Sequence, residues 1–263
     1  MKLWKFLLLL ILGSFLFMIF YSFAQIPFVL GTRSISAIPL GLVSSYLLLC
    51  LYYAWMKLFE KREITELSWK RCLPDTATGF AIGFLYFVAI VLVMMAFGLY
   101  TVNGFMFNYV QIIRNLVMML VVAIGEEVIF RGFMFRMINQ RWGLIVALII
   151  SSLAFGFIHI SNPNATVWSA VAIALEAGIM LGLAYNYKNT LWVPIGIHWA
   201  WNFSQGQVFG YAVSGMNIVD SVVQPTISGP ELLTGGAFGA EASIIAVILS
   251  VFISVWLYLK RNI

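Results

Sequence analysis

The sequence has little charge, few cysteines and few histidines. Of its 263 residues only 10% are charged and 62% are hydrophobic, and cysteine and histidine occur twice each. Because soluble domains carry about a quarter of their residues as Asp, Glu, Lys and Arg, this composition excludes an ordinary soluble domain. It predicts instead a protein with several membrane-spanning segments.

Two further absences narrow the class of protein. Cys50 lies in an apolar segment and Cys72 in a charged loop, so the sequence offers neither a disulfide framework nor the paired cysteines of a structural zinc site. The net charge of +5 comes from basic residues that stand between apolar segments. That distribution is typical of membrane topology rather than of a nucleic-acid interface. We therefore expect the lipid bilayer, and no nucleic acid, as a partner.

Apolar segments of membrane length recur along the whole chain. A crossing takes about 20 residues, so the sequence predicts one all-α membrane domain over residues 1–263, a bundle of about eight transmembrane helices. The predicted spans cover residues 3–24, 37–59, 76–100, 109–141, 143–160, 167–185, 191–209 and 242–259. The first resembles a signal peptide at Ser22-Phe23-Ala24, but its apolar run is long for one, which favours an uncleaved span. Residues 210–239, rich in Gly, Ser and Pro, predict a long non-helical connection.

The basic residues also predict the orientation. With a cytoplasmic amino terminus, the inner side receives Lys2, Lys5, the charged stretch 57–71, Arg131, Arg136, Arg141, Lys188, Lys260 and Arg261. Arg33 falls in an outer loop, and the outer connection 210–239 holds the acidic Asp220 and Glu231. Both termini are therefore expected in the cytoplasm of a multi-pass protein, and we place it in a bacterial plasma membrane. The stretch 57–71 is expected to be a solvated amphipathic connector.

The segment 125–132, Gly-Glu-Glu-Val-Ile-Phe-Arg-Gly, places two carboxylates and a guanidinium at the end of an apolar run. Ionisable groups in hydrocarbon are costly and need a reason. Glu127 and Arg131 are four residues apart with the acid first, the favourable order for a pair on one helix face. Glu126 points about 100° away from Glu127, so it is left to face another helix as a general base. The alternative on this motif alone is a structural Glu–Arg clamp.

Both histidines lie within predicted spans, and His198 shares a helix face with Asn202, four residues later. Counted from the predicted turn at residues 141–143, Glu126 and His159 each lie about 20–25 Å along antiparallel helices, at about 1.5 Å per residue. We therefore expect the two side chains at the same level. The site is expected in the inner half of the bilayer, opening toward the cytoplasm.

Three motifs follow one another along the spans: Glu126-Glu127-x-x-x-Arg131, Phe155-x-x-x-His159 and His198-x-x-x-Asn202. Together they resemble the signature of the CPBP family, which comprises type II CAAX prenyl proteases and bacterial Abi-type, bacteriocin-processing homologues. The resemblance covers residues 76–215. It implies an eight-helix intramembrane endopeptidase that cleaves membrane-embedded or lipid-anchored peptides or proteins.

The resemblance also implies roles for the matched residues. Glu126 and His159 would activate a water, His198 and Asn202 would hold the oxyanion of the tetrahedral intermediate, and Glu127 with Arg131 would support the site. Peptide hydrolysis requires a base for water, a proton donor to the leaving amine and stabilisation of the developing negative charge. The matched residues can supply all three.

Three alternatives stay open. Glu126, His159 and His198 form a set that also binds catalytic zinc, but the His-Glu-x-x-His arrangement is absent and Asn is a poor zinc ligand, which favours a metal-free mechanism. The second alternative is a non-catalytic membrane scaffold, or a bacteriocin self-immunity factor of the same fold. The third is a transporter whose ion path uses Glu126, Arg114 and Glu176, although the sequence lacks two related halves with broken helices. Arg114 and Glu176 are otherwise expected to form a structural pair.

Overall fold

Long helices form the frame of the molecule in a computed structural model, which describes residues 2–30 and 35–260. Arg33 and Arg261, used in the orientation prediction, lie outside the described residues. The helices are α1 (Leu3–Leu30), α2 (Ala37–Trp55), α3 (Trp69–Ala96), α4 (Tyr109–Glu127), α5 (Arg136–Trp142), α6 (Leu144–Ile158), α7 (Val167–Ile173), α8 (Ile179–Lys188), α9 (Trp192–Phe203), α10 (Glu231–Thr234) and α11 (Ile244–Lys260).

Several of these helices are continued or joined by π-helical turns. They are Met56–Glu60 after α2, Val128–Phe135 between α4 and α5, Ala174–Gly178 between α7 and α8, and Ser204–Val208 after α9. A short 3-10 turn, His159–Ser161, follows α6, and another, Ala240–Ala242, precedes α11. π turns insert an extra residue per turn and are frequent at functional sites. Their position beside the predicted motifs therefore favours a functional site there.

Within the described residues, five helical segments are long and apolar enough to cross a membrane. They are Leu3–Phe28, Ala37–Glu60, Trp69–Ala96, Leu144–Ser161 and Val167–Lys188, and α11 is a shorter apolar helix. These segments confirm a largely helical, multi-pass membrane protein. The number of eight crossings and the cytoplasmic position of both termini stay predictions.

A small sheet interrupts the helical architecture. Strands β1 (Tyr100–Phe105) and β2 (Val223–Ile227) pair antiparallel, from Tyr100 opposite Ile227 to Phe105 opposite Val223, with an irregularity between Val102 and Gly104. The expectation of a non-helical connection over 210–239 therefore missed a strand and the short helix α10. The partner strand lies more than a hundred residues away in the sequence, so no local pattern indicates the pairing.

Close packing of α3 against α9 fixes the helix that carries His198. A Cβ atom at Gly83 would meet the Ile197 carbonyl oxygen at 2.3 Å, and one at Gly196 would meet the Thr76 carbonyl oxygen at 2.3 Å. Only glycine allows the two backbones to approach this closely, as is common between membrane helices. The position of α9 in the bundle is therefore set by glycines on both helices.

A polar cluster fastens the connector 61–68 to the end of the bundle near α5. Arg62 pairs with Glu66, whose Oε1 also lies 2.5 Å from the Tyr52 hydroxyl, and Arg136 donates to Glu60 across 2.6 Å. Glu66 is 3% exposed, whereas Lys61, Glu63 and Thr65 are exposed, so the connector has one buried face and one solvated face, as expected of an amphipathic connector. Burial alone would raise the pKa of Glu66, but hydrogen bonds from Arg62 and Tyr52 outweigh it and hold the pKa below its ordinary value.

Candidate active site

Glu127 lies at the centre of a buried network. Its Oε1 accepts a hydrogen bond from Arg131 Nη1 at 2.9 Å and lies 2.9 Å from His198 Nδ1. Glu127 and Arg131 are 0% and 1% exposed. The four-residue spacing thus places the two side chains together on one helix, although the π turn Val128–Phe135 begins between them. Their opposite charges compensate one another in a position where a single charge would be costly.

Arg131 ties three elements together. Its Nη2 donates to the Ala177 carbonyl oxygen at 2.9 Å, and its guanidinium carbon stands 4.3 Å from the centroid of the Phe155 ring. The contact with the ring face is a cation–π interaction. Arg131 therefore links its own helix to the π turn Ala174–Gly178 and to α6.

The hydrogen bonds of the two histidines define their tautomers. His159 Nδ1 lies 2.7 Å from the Phe155 carbonyl oxygen, and His198 Nδ1 lies 2.9 Å from the Glu127 carboxylate. Carbonyl and carboxylate oxygens only accept, so Nδ1 carries the hydrogen in both rings. In the neutral ring the other nitrogen then holds a lone pair. Both Nε2 atoms are therefore acceptors.

Both Nε2 atoms face Glu126. The Glu126 Oε2 lies 3.8 Å from His198 Nε2 and 4.0 Å from His159 Nε2, while Oε1 accepts a hydrogen bond from the Tyr21 hydroxyl at 2.9 Å. Among the described residues Oε2 is a buried oxygen with no hydrogen-bond partner. A buried polar atom of this kind calls for a water, an ion or a ligand. Three groups thus converge on one position that a small species can fill.

A cavity of about 660 Å³ adjoins this position. Asn202 lines it, one helical turn after His198 on α9. Other lining residues belong to α1, to α4 and the π turn after it, to the end of α6 and the 3-10 turn that follows it, and to α9. Ile173, Ala177 and Glu241 also line the cavity, together with the loop residues Val213, Ser214, Met216, Asn217, Ile218 and Val219. The cavity therefore lies toward the end of the bundle that carries residues 210–239, opposite the turn at Gly143.

The donor set at Glu126 suits a metal ion in its chemistry. Two imidazole lone pairs and one carboxylate oxygen form a zinc ligand set, and each imidazole donates its other N–H to a fixed acceptor, as metal-binding histidines do. The spacing is wider than an ion requires. Ligands about 2.0 Å from a tetrahedral ion are about 3.3 Å apart, whereas the separations here are 3.8 and 4.0 Å. Two acceptor atoms that share one water through hydrogen bonds of about 2.8 Å are about 4.0–4.6 Å apart.

Two features of the site are absent from the sequence prediction or differ from it. Tyr21, which contacts Glu126, belongs to the first span, where a tyrosine among many phenylalanines gives no signal. The predicted pair of Arg114 and Glu176 is wrong. Arg114 donates to the Phe28 carbonyl oxygen at 2.7 Å, and Glu176 lies 3.1 Å from the Tyr86 hydroxyl.

The fold and the site together define a helical membrane protein with a largely buried Glu–His–His centre beside a cavity. Residues 108–204 match the family model of type II CAAX prenyl endopeptidase Rce1-like proteins, which confirms the resemblance derived from the motifs. The matched segment contains Glu126, Glu127, Arg131, His159, His198 and Asn202, and it excludes Tyr21. The match supports a protease of the CAAX-protease-like intramembrane type. Comparisons with curated proteins and with solved structures return no match.

Proposed function

We propose that the protein is an intramembrane endopeptidase that hydrolyses peptide bonds of membrane-embedded or lipid-anchored substrates. The observation that carries the proposal is the convergence of Glu126 Oε2 with His159 Nε2 and His198 Nε2 at the edge of a large cavity. A water donates only two hydrogen bonds, and we assign them to Glu126 Oε2 and His159 Nε2. The water oxygen then lies beside the cavity with its hydrogens directed to two bases, which is the arrangement that hydrolysis needs.

The proposed reaction begins at that water. Glu126, assisted by His159, takes a proton as the water oxygen bonds to the peptide carbonyl carbon, whose oxygen becomes an oxyanion. The protonated Glu126 then passes this proton to the leaving nitrogen as the carbon–nitrogen bond breaks, which yields a carboxyl group and an amine. Atoms and charge balance without a further reactant.

Asn202 and His198 are the proposed oxyanion partners. The Asn202 amide donates directly. His198 Nε2 donates in the form of the ring that is protonated on both nitrogens before the reaction begins, and the reaction leaves that form unchanged. Glu127 accepts from His198 Nδ1 and so is placed to balance an imidazolium. Preorganised donors of this kind account for factors of about 10²–10³ in rate when one is removed. Glu127 and Arg131 act by holding this ring in place.

We favour the metal-free form, because the separations around Glu126 Oε2 are closer to those of a shared water than to those of a shared ion. In the alternative, zinc held by Glu126, His159 and His198 would act as a Lewis acid and acidify a bound water. Purified active protein dialysed against 1,10-phenanthroline distinguishes the two forms. Retained activity supports the metal-free form, and loss that added zinc reverses supports the other.

The cavity indicates the kind of substrate and its route. Its lining is largely apolar, with Met18, Phe28, Met118, Met119 and Val122 on the α1 and α4 sides. Such a lining suits an apolar peptide segment or a lipid-modified peptide. Under the orientation predicted from the basic residues, the end that carries 210–239 is the outer one. We therefore place the opening of the site on that side, in place of the cytoplasmic opening expected from residue counting.

The decisive experiment compares cells that carry the native protein with cells that carry Glu126→Gln. Mass spectrometry of membrane and secreted peptides should reveal substrates that are cleaved only in the native cells. Glu63→Gln, an identical change in an exposed connector residue, is the matched control and should leave the peptide profile unchanged. Identical profiles for native and Glu126→Gln cells would reject the endopeptidase.

The remaining alternatives make different predictions for the same variant. A scaffold or self-immunity factor keeps its cellular phenotype with Glu126→Gln, since such a role needs the fold and not the carboxylate. The transporter has less support, because Arg114 lines the cavity whereas Glu176 is not among the residues that line it. Glu126, Arg114 and Glu176 therefore do not form one continuous path through this cavity.

A further inference from the structure

Tyr21 is the one residue of α1 that bonds to the Glu–His–His centre among the hydrogen bonds of the described residues. Its hydroxyl donates to Glu126 Oε1 at 2.9 Å across a sequence separation of 105 residues. It lies outside the segment 108–204 that matches the family model, so nothing in that match assigns it a role. Its contact with the proposed base raises the question of what the bond does.

The Tyr21 ring is seated on a glycine. A Cβ atom at Gly125 would stand 2.1 Å from Tyr21 Cδ2 and 2.4 Å from Tyr21 Cε2. These distances are far below contact distance, so any side chain at position 125 displaces the ring. Gly125 directly precedes Glu126, which accepts the hydrogen bond from the Tyr21 hydroxyl. Gly125 therefore provides the surface on which the Tyr21 ring packs, and Glu126 provides the oxygen that accepts the Tyr21 hydrogen bond.

The two carboxylates of the motif are held differently. Glu127 is paired with Arg131, whereas Glu126 has no Lys or Arg within ion-pairing distance among the described residues. The hydrogen bond from Tyr21 engages Oε1 and leaves Oε2 to face the two histidines. A neutral donor can fix the orientation of a carboxylate without neutralising the charge that a general base needs.

We propose that Tyr21 is a positioning residue for Glu126, so that α1 belongs to the catalytic unit although it lies outside the matched segment. This inference rests on the proposed function, in which Glu126 is the base. Without the Tyr21 hydroxyl the carboxylate rotates away from the water site. Misplacement of a reacting group by about 1 Å can lower a rate by about a hundredfold.

The first test is Tyr21→Phe, which keeps the ring on Gly125 and removes only the hydroxyl. We expect kcat to fall by about 10- to 100-fold with KM unchanged and the unfolding temperature unchanged. Tyr109→Phe, the same change at an exposed position at the start of α4, is the matched control and should retain the native kcat. A native kcat for Tyr21→Phe would overturn the inference.

A second pair of variants tests the packing of the Tyr21 ring on Gly125. Gly125→Ala displaces the ring, so adding Tyr21→Phe to Gly125→Ala should lower kcat no further than Gly125→Ala alone. Independent, multiplicative losses would show that the two positions act separately and would contradict the inference.

A third readout does not require catalysis. Infrared difference spectra locate the Glu126 carboxylate stretch as the band that Glu126→Gln removes, and Tyr21→Phe should shift that band because a carboxylate loses a donor. An unshifted band means that the bond to Tyr21 is absent and rejects the inference. If Glu126→Gln leaves proteolysis intact, the proposed function fails, and a shifted band would still show the bond. If Glu126→Gln is inactive while Tyr21→Phe is fully active, only the role of Tyr21 fails.

Discussion

His198 donates a hydrogen bond from Nδ1 to Oε1 of Glu127 across 2.9 Å, and this bond turns Nε2 toward Glu126. One side chain thus connects the two adjacent carboxylates of the motif, which otherwise face different surroundings. Glu127 is enclosed with Arg131, and Glu126 borders the cavity. This division predicts that neutralising each carboxylate has a different consequence.

Glu127→Gln should lower the stability of the fold, and activity should be lost as a consequence. The substitution leaves Arg131 as a buried charge without its anionic partner, and breaking such a pair costs about 3–5 kcal/mol. We expect a lower unfolding temperature in detergent, measured by thermal denaturation, together with loss of activity. An unfolding temperature equal to that of the native protein would mean that the pair contributes little to stability.

Glu126→Gln should abolish activity without lowering the stability of the fold. The carboxylate has no Lys or Arg partner among the described residues, so replacing it by a neutral amide removes a largely buried charge and leaves the fold at least as stable. We expect no proteolysis and an unfolding temperature equal to or above the native value. A strong loss of stability would instead assign Glu126 a structural role.

His159→Ala should lower kcat by about 10²–10⁴, the range usual for loss of an acid–base group. Among the described residues, the ring has one hydrogen bond, to the Phe155 carbonyl oxygen of the preceding helix, so its loss should affect stability little. Because the truncated side chain leaves space beside the cavity, added imidazole should restore part of the rate. Turnover of a peptide substrate with and without imidazole checks this, and a native kcat for His159→Ala would remove the ring from the mechanism.

Helical periodicity accounts for much of the site. The spacing of Glu127 and Arg131 places them in contact, and residue counting along antiparallel helices brings Glu126 and His159 to the same level. The contact of Tyr21 with Glu126 depends on how α1 crosses α4, and the strand pairing of Tyr100 with Ile227 depends on a distant segment. Neither leaves a local pattern in the sequence, because both arise from tertiary packing.

The connector at the opposite end should make stability depend on pH. The pKa of Glu66 is lower in the folded protein than its ordinary value of about 4.3. A lowered folded pKa gives stabilisation that is present above the unfolded pKa and is lost as the pH falls through the folded pKa. We expect native protein to unfold at a higher temperature than Glu66→Gln at pH 7, and the difference to shrink below about pH 4. A constant difference over this range would contradict the contribution of Glu66.

The opening of the cavity can be assigned to one side of the membrane with two cysteines. Asn217 lines the cavity and is exposed, and the native Cys72 lies in α3 one residue after Arg71, which bonds to the Lys188 carbonyl oxygen at the other end of the bundle. In a Cys50→Ser background, an impermeant maleimide added to intact cells should label Asn217→Cys. Cys72 should be labelled only after permeabilisation, because the basic residues predict that its end is cytoplasmic. The reverse pattern would invert the orientation and give the site the cytoplasmic opening. If an apolar peptide substrate slows the labelling of Asn217→Cys, the substrate enters through this opening.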